Sequence, residues 1–499
     1  MDMFFIRRKV VLGAALSLLV IWLLLPSKPL FSESQVLDNR RRAIEDAFDH
    51  AWSGYSTHCM GHDSLHPVTN TCEDDFGGWG ASAIDALSTA IMMGKRDATI
   101  QILQFIGELD FKIVTGGTSI QVFEIVIRHF GGMISAYDLL NGPSAAMPIG
   151  NHLQKRLFEQ MVLLGDILTC AFNTSSGIPR NWLDPATCLT DDGSSNTLAG
   201  AGSLILEFAR LSDITGNKKY VTLAQRAESY LLSPTQGDAE PFPGLLGSFI
   251  RVSDGQFTNS KGGWGSLSDS FYEYLIKAYV YDNSRYAPYL ERWKVAADST
   301  MRFASSRPFG REDEVMLPFW EGQRLFNAID SLSWFAGGNF ILGGMVTAND
   351  TLVDFGLSIA NAAGALYSST ASHLGPEWTH WTPDCSSGWG EEQCSASNSV
   401  RPAEASFKLR PEALETWYYA YRATGEPKYR EWAWEMFMAI NKTCRTDTGF
   451  SAISDVTAVD GGEKLNQQES FVFAEVLKYM WLIHSGVSVL LYATSCRPS

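Results

Sequence analysis

The chain is short of charge, and of positive charge above all. Charged residues fill only 19% of its 499 positions, and 39 Lys and Arg face 55 Asp and Glu, for a formal net charge of -16. Nothing in it forms a basic stripe, which excludes a nucleic-acid partner; a neutral or cationic ligand, or a metal ion, suits this balance better. Low-complexity blocks and long Pro/Ser-rich linkers are missing, so one large core is expected even though length alone suggests about three domains. Histidine is scarce, nine in all, and none clusters with the eight cysteines at zinc-ligand spacing, which argues against a zinc site. Strand signals are few, mainly at 245–257, where Gly and Asp suggest a hairpin. A fixed-period repeat is absent too, and that counts against an ordinary solenoid.

What is present is helix. Helical patterns cover 38–53, 81–93, 97–109, 119–140, 152–172, 196–215 and 218–232. They continue at 266–281, 287–305, 332–345, 351–367, 411–424, 428–444 and 469–484, with Gly-containing turns between many of them. A dozen or more such helices in one domain can stack as a solenoid or close into a ring of hairpins. Without a repeat, closure into an all-α, α/α barrel is the expectation.

The N-terminus reads as an address. Arg7, Arg8 and Lys9 precede an apolar run at 10–25 closed by Pro26. The positive flank places the start of the chain in the cytosol and the remainder across the membrane, as in a signal anchor. Residues 1–34 are therefore expected to be a tail and anchor, and 35–499 a lumenal domain, secreted if the segment is cleaved. The triplets starting at Asn173, Asn349 and Asn441 are glycosylation sequons and agree with that compartment. In an oxidising lumen the local pairs Cys59 with Cys72, Cys170 with Cys188 and Cys385 with Cys394 are plausible bridges.

Chemistry is suggested by carboxylates where amphipathicity does not call for them. Segment 119–140 is apolar on nearly every side yet carries Glu124 and Arg128, four apart on one face. A lone carboxylate there would cost several kcal/mol; the two are either a structural ion pair or part of a dry acidic pocket. Asp269 with Glu273, Glu412, and Glu469 with Glu475 lie in three similar segments. Carboxylates converging in an aromatic-rich cavity are what glycoside hydrolysis needs, one protonating the departing oxygen and another deprotonating water.

The segments GWGASAIDALSTAIMMG, IQVFEIVIRHFGGMISAYDLL, AFNTSSGIP, GGWGSLSDSFYEYLIKAYVYD, LRPEALETWYYAYRATGEPKY, GFSAISDV and ESFVFAEVLKY resemble, in the same order, family 47 of the glycoside hydrolases, the class I α-1,2-mannosidases, and most of all its fungal members. The resemblance implies an (αα)7 barrel with small β-hairpin insertions, and removal of terminal α-1,2-linked mannose from high-mannose N-glycans with inversion. It also implies a Ca2+ ion held at the barrel bottom through the carbonyl and hydroxyl oxygens of Thr494. By motif, Glu124 matches the proposed acid, Glu412 the base that activates water, and Asp269 a third essential carboxylate; which of Glu124 and Asp269 delivers the proton is left open. Arg128, Arg410, Phe471 and Glu475 match residues around the terminal mannose. A monomer in the Golgi or endoplasmic reticulum membrane is expected.

Departures from the family pattern are equally specific. After Thr494 the usual glutamate is Ser495, which is expected to weaken the metal site. Ser331 stands for a histidine near the site, and Trp334 for one half of the usual family disulfide. Asn466, Gln467 and Gln468 replace an acidic start before Glu469, and a bridge between Cys444 and Cys496 would tie down the altered C-terminus. Leu267 lies where family members differ in branch preference and looks more like the broader trimming enzymes. The competing reading is a mannose-binding relative with weakened turnover; retention of Glu124, Asp269 and Glu412 argues against it.

Overall fold

A computed structural model describes residues 32–142, 147–235, 239–384 and 395–486. The expected anchor at 10–25, Cys385, Cys394, Thr494, Ser495 and Cys496 lie outside the described residues. Among the described residues no helix is long and apolar enough to cross a membrane.

The helices alternate between two concentric rings. The outer ring comprises α1 (Glu33–His58), α3 (Arg96–Glu108), α6 (Asn151–Leu168), α9 (Lys219–Leu232), α11 (Ala287–Phe303), α13 (Asp350–Ser369) and α15 (Pro427–Thr443). The inner ring begins with α2 (Ala81–Met92) and with α4 (Val122–Ile125), which runs through a π turn (Val126–Phe130) into α5 (Gly131–Asn141). It continues with α7 (Leu198–Gly202) followed by α8 (Ile205–Thr215), then α10 (Asp269–Tyr281), α12 (Phe335–Thr347) and α14 (Glu412–Thr424). A second π turn (Val472–Val476) leading into α16 (Leu477–Ile483) completes it. In space each inner element packs on the next, α2 on α5, α5 on α8, α8 on α10, α10 on α12, α12 on α14 and α14 on α16, and the second π turn returns to α2. The fold is thus the expected (αα)7 barrel.

Closure joins the two ends of the described chain. Arg40 on α1 forms a two-pronged ion pair with Glu431 on α15, and Arg430 donates to Glu33 at 2.8 Å. The Trp481 indole of the last inner helix donates to Glu45 at 2.8 Å, and Phe473 packs edge-on against Phe48 at 5.7 Å. Inner helices read as apolar all round because both faces are covered; residues 81–90 of α2 are all buried. Close approach between neighbours rests on small residues: a Cβ at Gly356 on α13 would lie 2.5 Å from the Gly337 carbonyl oxygen of α12.

Sequence and structure differ at helix starts. The apolar stretch 119–140 begins not as helix but as strand β3 (Ile120–Gln121), paired antiparallel with β4 (Trp182–Leu183), because the Val122 amide donates to the Asn181 carbonyl. Stretch 196–215 is split: β5 (Ser195–Thr197) pairs with β6 (Phe249–Arg251), and the chain bends between α7 and α8. The expected hairpin at 245–257 is present as the antiparallel bridge Ile250 to Phe257. Other small antiparallel sheets, β1 (Ser64–His66) with β2 (Thr71–Glu73), β7 (Lys261–Gly262) with β8 (Phe319–Glu321) and β9 (Arg324–Phe326), and β10 (Ala328–Asp330) with β11 (Trp378–Trp381) and β12 (Val400–Glu404), lie in the connections.

Cys59–Cys72 and Cys170–Cys188 are bridged as expected, each with Cα atoms 5.5 Å apart. Cys444 is buried and unbridged among the described residues.

Two buried carboxyls in the barrel wall tie stability to pH. Glu207 on α8 accepts from Tyr274 at 2.7 Å and Glu228 on α9 from Tyr289 at 2.6 Å, while the second oxygen of each has no partner among the described residues. Burial pushes both carboxyls up to about 8 from an ordinary 4.5. A carboxyl held protonated in the fold stabilises fully below pH 4.5, and that contribution is lost as pH rises through about 8. The melting temperature is therefore expected to fall by several degrees between mildly acidic and mildly alkaline buffer. In differential scanning calorimetry, Glu207→Gln and Glu228→Gln are expected to flatten that fall.

Candidate active site

The inner helices all run the same way, each being reached through an outer one, and a cavity of about 410 Å³ opens where their N-terminal ends converge. Glu124 comes from α4, Asp269 and Glu273 from α10, Glu412 and Glu415 from α14, and Phe471 and Glu475 from the second π turn and the residue before it. Arg128, Arg410 and Tyr479 add to the polar lining, and Leu267, Leu332 and Phe335 are among its apolar residues. Seven of the site residues expected from sequence, Glu124, Asp269, Glu412, Arg128, Arg410, Phe471 and Glu475, are thus in one cavity. The eighth, Thr494, lies outside the described residues.

Glu124 and Arg128 turn out to be both things the sequence allowed: an ion pair and part of the pocket. Arg128 Nε donates to Glu124 Oε2 at 2.8 Å, Nη1 donates to Ser470 Oγ at 3.0 Å, and Asp85 lies 3.9 Å away. The first π turn carries Arg128, an insertion that pattern reading cannot see but that often marks a functional site. Opposite, Arg410 donates from Nε and Nη2 to Glu377 at 3.2 Å. Both guanidinium groups lie over the Phe471 ring, 5.9 and 5.6 Å from its centre.

Asp269 and Glu412 each start a helix after a residue in left-handed backbone. Leu267 has φ 76° and Leu409 has φ 60°, a conformation that is costly for a leucine and recurs at functional turns. The turn before Asp269 is pinned by Asp330, which accepts from the Ser266 amide at 2.8 Å, and by the Ser248–Ser268 hydroxyl contact at 3.1 Å. Asp269 accepts from the Ser270 amide at 2.8 Å, yet burial outweighs that bond and pushes its carboxyl up to about 7. Burial also pushes Glu475 up to about 7 and Glu412 well above the usual range, with Arg410 pulling Glu412 back. One oxygen of Glu412 has no partner among the described residues. Lys277 bonds Glu273 and lies 3.4 Å from Glu415, neutralising the deep end.

Sequence reading missed Asp85, Glu377, Glu415, Lys277 and Ser470 as members of the site. Lys277 is four residues after Glu273 on one helix face and was legible in principle; Glu377 is in an irregular loop, where no periodic signal exists.

Residues 47–494 match the model of glycosyl hydrolase family 47. The chain belongs to glycosyl hydrolase family 47. It is 42% identical over 477 residues to a mannosyl-oligosaccharide alpha-1,2-mannosidase of Penicillium citrinum, covering 94% of this chain and 93% of that one. A Coccidioides posadasii protein of the same name is 45% identical over 468 residues, covering 92% and 88% of the two chains. The solved alpha-1,2-mannosidase from Trichoderma reesei superposes with a TM-score of 0.87 at 42% identity, over 90% of this chain and 94% of that one.

The family-47 site absorbs its unusual residues locally. Ser331 is buried 3.5 Å from Glu377, where its hydroxyl supports the partner of Arg410. Trp334 is buried at the start of α12, and its carbonyl accepts from Thr416 of α14 at 2.5 Å. Gln468 accepts from the Phe450 amide at 2.7 Å. No group of three or more His, Cys, Asp or Glu side chains is arranged to hold a metal among the described residues. Glu475 makes no hydrogen bond or ion pair among the described residues, and burial resists its ionisation.

Removing Glu377 strands the Arg410 guanidinium. Glu377→Ala is expected to cost about 3 kcal/mol, the scale for breaking a buried pair, and Glu377→Gln markedly less, in urea denaturation; equal midpoints for wild type and Glu377→Ala would show the pair to be idle.

Proposed function

We propose that this chain removes terminal α-1,2-linked mannose from high-mannose N-glycans by inverting, calcium-dependent hydrolysis. The observation that carries the reading is the convergence of Glu124, Asp269 and Glu412 in one cavity at the helix N-termini. The names borne by the fungal relatives support the substrate class.

Roles follow from the environments. Asp269 keeps its proton to about neutrality and donates it to the departing glycosidic oxygen, directly or through water. Glu124, bonded to the Arg128 guanidinium at 2.8 Å, supplies negative charge beside the sugar ring, where positive charge develops. Glu412, one buried oxygen of which has no partner among the described residues, takes the proton of the attacking water; burial raises its affinity for that proton, and Arg410 opposes the shift. Phe471, contacted by both arginines, offers the sugar ring an apolar surface. Thr494, by its match to the family motif, would hold the calcium ion, which when bound contributes positive charge and orients vicinal sugar hydroxyls.

The compartment fits the substrate: Arg7, Arg8 and Lys9 ahead of the apolar run at 10–25 make this a type II protein of the Golgi or endoplasmic reticulum, or a secreted one if cleaved there. The enzyme acts as a monomer.

The test is mannose release from a Man9 N-glycan by the purified protein, with calcium and with a chelator. Release is expected only with calcium, and Glu412→Gln is expected to lower it by about 10²-fold or more. Glycan binding with no release would instead leave a mannose-binding protein. In the active enzyme kcat/KM is expected to decline as pH rises through about 7, where Asp269 loses its proton, and the residual activity of Asp269→Asn to lose that limb.

A further inference from the structure

Arg128 has a close neighbour outside the cavity lining. Its guanidinium carbon lies 4.5 Å from the centre of the Phe76 ring, nearer than the 5.9 Å to Phe471, and Phe76 is partly buried against the core. The bonds from Arg128 Nε to Glu124 and from Nη1 to Ser470 run in the plane of the guanidinium and leave its tilt free. A ring over its face restrains that tilt. The attraction between cation and ring is stronger where water is excluded, and the Arg128 side chain is only 15% exposed.

The loop carrying Phe76 has little freedom. Asp63, fully buried, accepts from four of its backbone amides: Phe76 at 2.7 Å, Gly78 at 2.8 Å, and Trp79 and Ala81 at 3.0 Å each. A carboxylate is costly to bury, and here the backbone N–H groups of one turn compensate it. The turn passes through Gly77, Gly78 and Gly80 at φ 94°, 72° and 72°, where a side chain would strain the backbone. On its far flank the Trp79 indole donates to the Ile113 carbonyl at 2.7 Å, and the Gly77 carbonyl accepts from the Thr115 amide at 2.9 Å.

The hairpin leading into this loop is joined to the segment leading to Ser470 and Phe471. Leu65 of β1 forms an antiparallel bridge with Gln468. Asn466, in left-handed backbone at φ 57°, accepts from the Val68 and Thr69 amides at 2.8 and 3.2 Å and donates to Thr69 Oγ1 at 3.0 Å. His66 Nδ1 donates to the Asn466 carbonyl at 2.7 Å. Asn466 and Gln468, both departures from the family pattern, are thus the joint between two segments that each present an aromatic ring to Arg128.

Resting on the function proposed above, we infer that Phe76 is a positioning residue: its ring holds the Arg128 guanidinium in the orientation that bonds Glu124, and Asp63 and Asn466 hold the ring in place. Glu124 acts on charge that develops in the transition state, so a misplaced Arg128 lowers kcat rather than weakening substrate binding.

Phe76→Leu keeps an apolar side chain and removes the aromatic face. In mannose release from a Man9 N-glycan its kcat is expected to fall about tenfold with KM nearly unchanged, and Phe76→Tyr to restore most of the loss. An unchanged kcat, or a fall that Phe76→Tyr does not relieve, overturns the inference. A second measurement needs no turnover: crystal structures of the wild type and of Phe76→Leu. The variant is expected to show the Arg128 guanidinium displaced and its bond to Glu124 lengthened or lost; an unmoved guanidinium overturns the inference. A wild type that releases no mannose sinks the hydrolase reading alone, because the crystallographic comparison still decides for or against Phe76.

Discussion

Everything at the centre of this molecule depends on seven inner helices pointing the same way. Because each is separated from the next by one outer helix, their N-terminal ends meet at one mouth of the barrel and bring Glu124, Asp269, Glu412 and Glu475 together from segments up to hundreds of residues apart. Helix N-termini favour negative charge, by about 0.3–1 kcal/mol in exposed settings. Removal from water opposes it, and more strongly: Asp269 and Glu475 are pushed up to about 7 despite starting or opening their helical segments. Desolvation wins, and the outcome is a set of acids poised near neutrality rather than a wall of permanent charge.

The same crowding explains the cations. Arg128, Arg410 and Lys277 are each paired to a carboxylate in or beside the cavity, and the Phe471 ring is in contact with both arginines. Such an arrangement fixes the charges in place before a substrate arrives, which is how a site lowers a barrier without reorganising during the reaction. Left-handed backbone at Leu267 and Leu409 shows where that pre-positioning carries a conformational cost, at the two turns that aim Asp269 and Glu412.

Two of the deviations from the family pattern, Trp334 and Ser331, are buried among neighbours that bond to them. Trp334 is buried at the α12–α14 junction, and its backbone joins the two helices through Thr416. Ser331 reaches Glu377, the partner of Arg410, at 3.5 Å. Closure of the outer ring does not depend on either: it is made by Arg40 with Glu431, Arg430 with Glu33 and Trp481 with Glu45.

The helical content, the single core and the identity of the chemical groups were legible in the chain itself. Helix periodicity is a local property, and Glu124 and Arg128 in an otherwise apolar stretch announce themselves because an unpaired charge there would be too costly. Seven of the eight expected site residues meet in one cavity for the same reason. Local reading could not find the π turns at 126–130 and 472–476, the strand start at Ile120, or Glu377 as the partner of Arg410, since each depends on a contact with a distant segment. Nor could it say which carboxyl keeps its proton. Residue type determined that acids are present; burial depth and neighbouring charge, which exist only once the ring has closed, decided that Asp269 is held near 7 while Glu124 is bonded to a guanidinium.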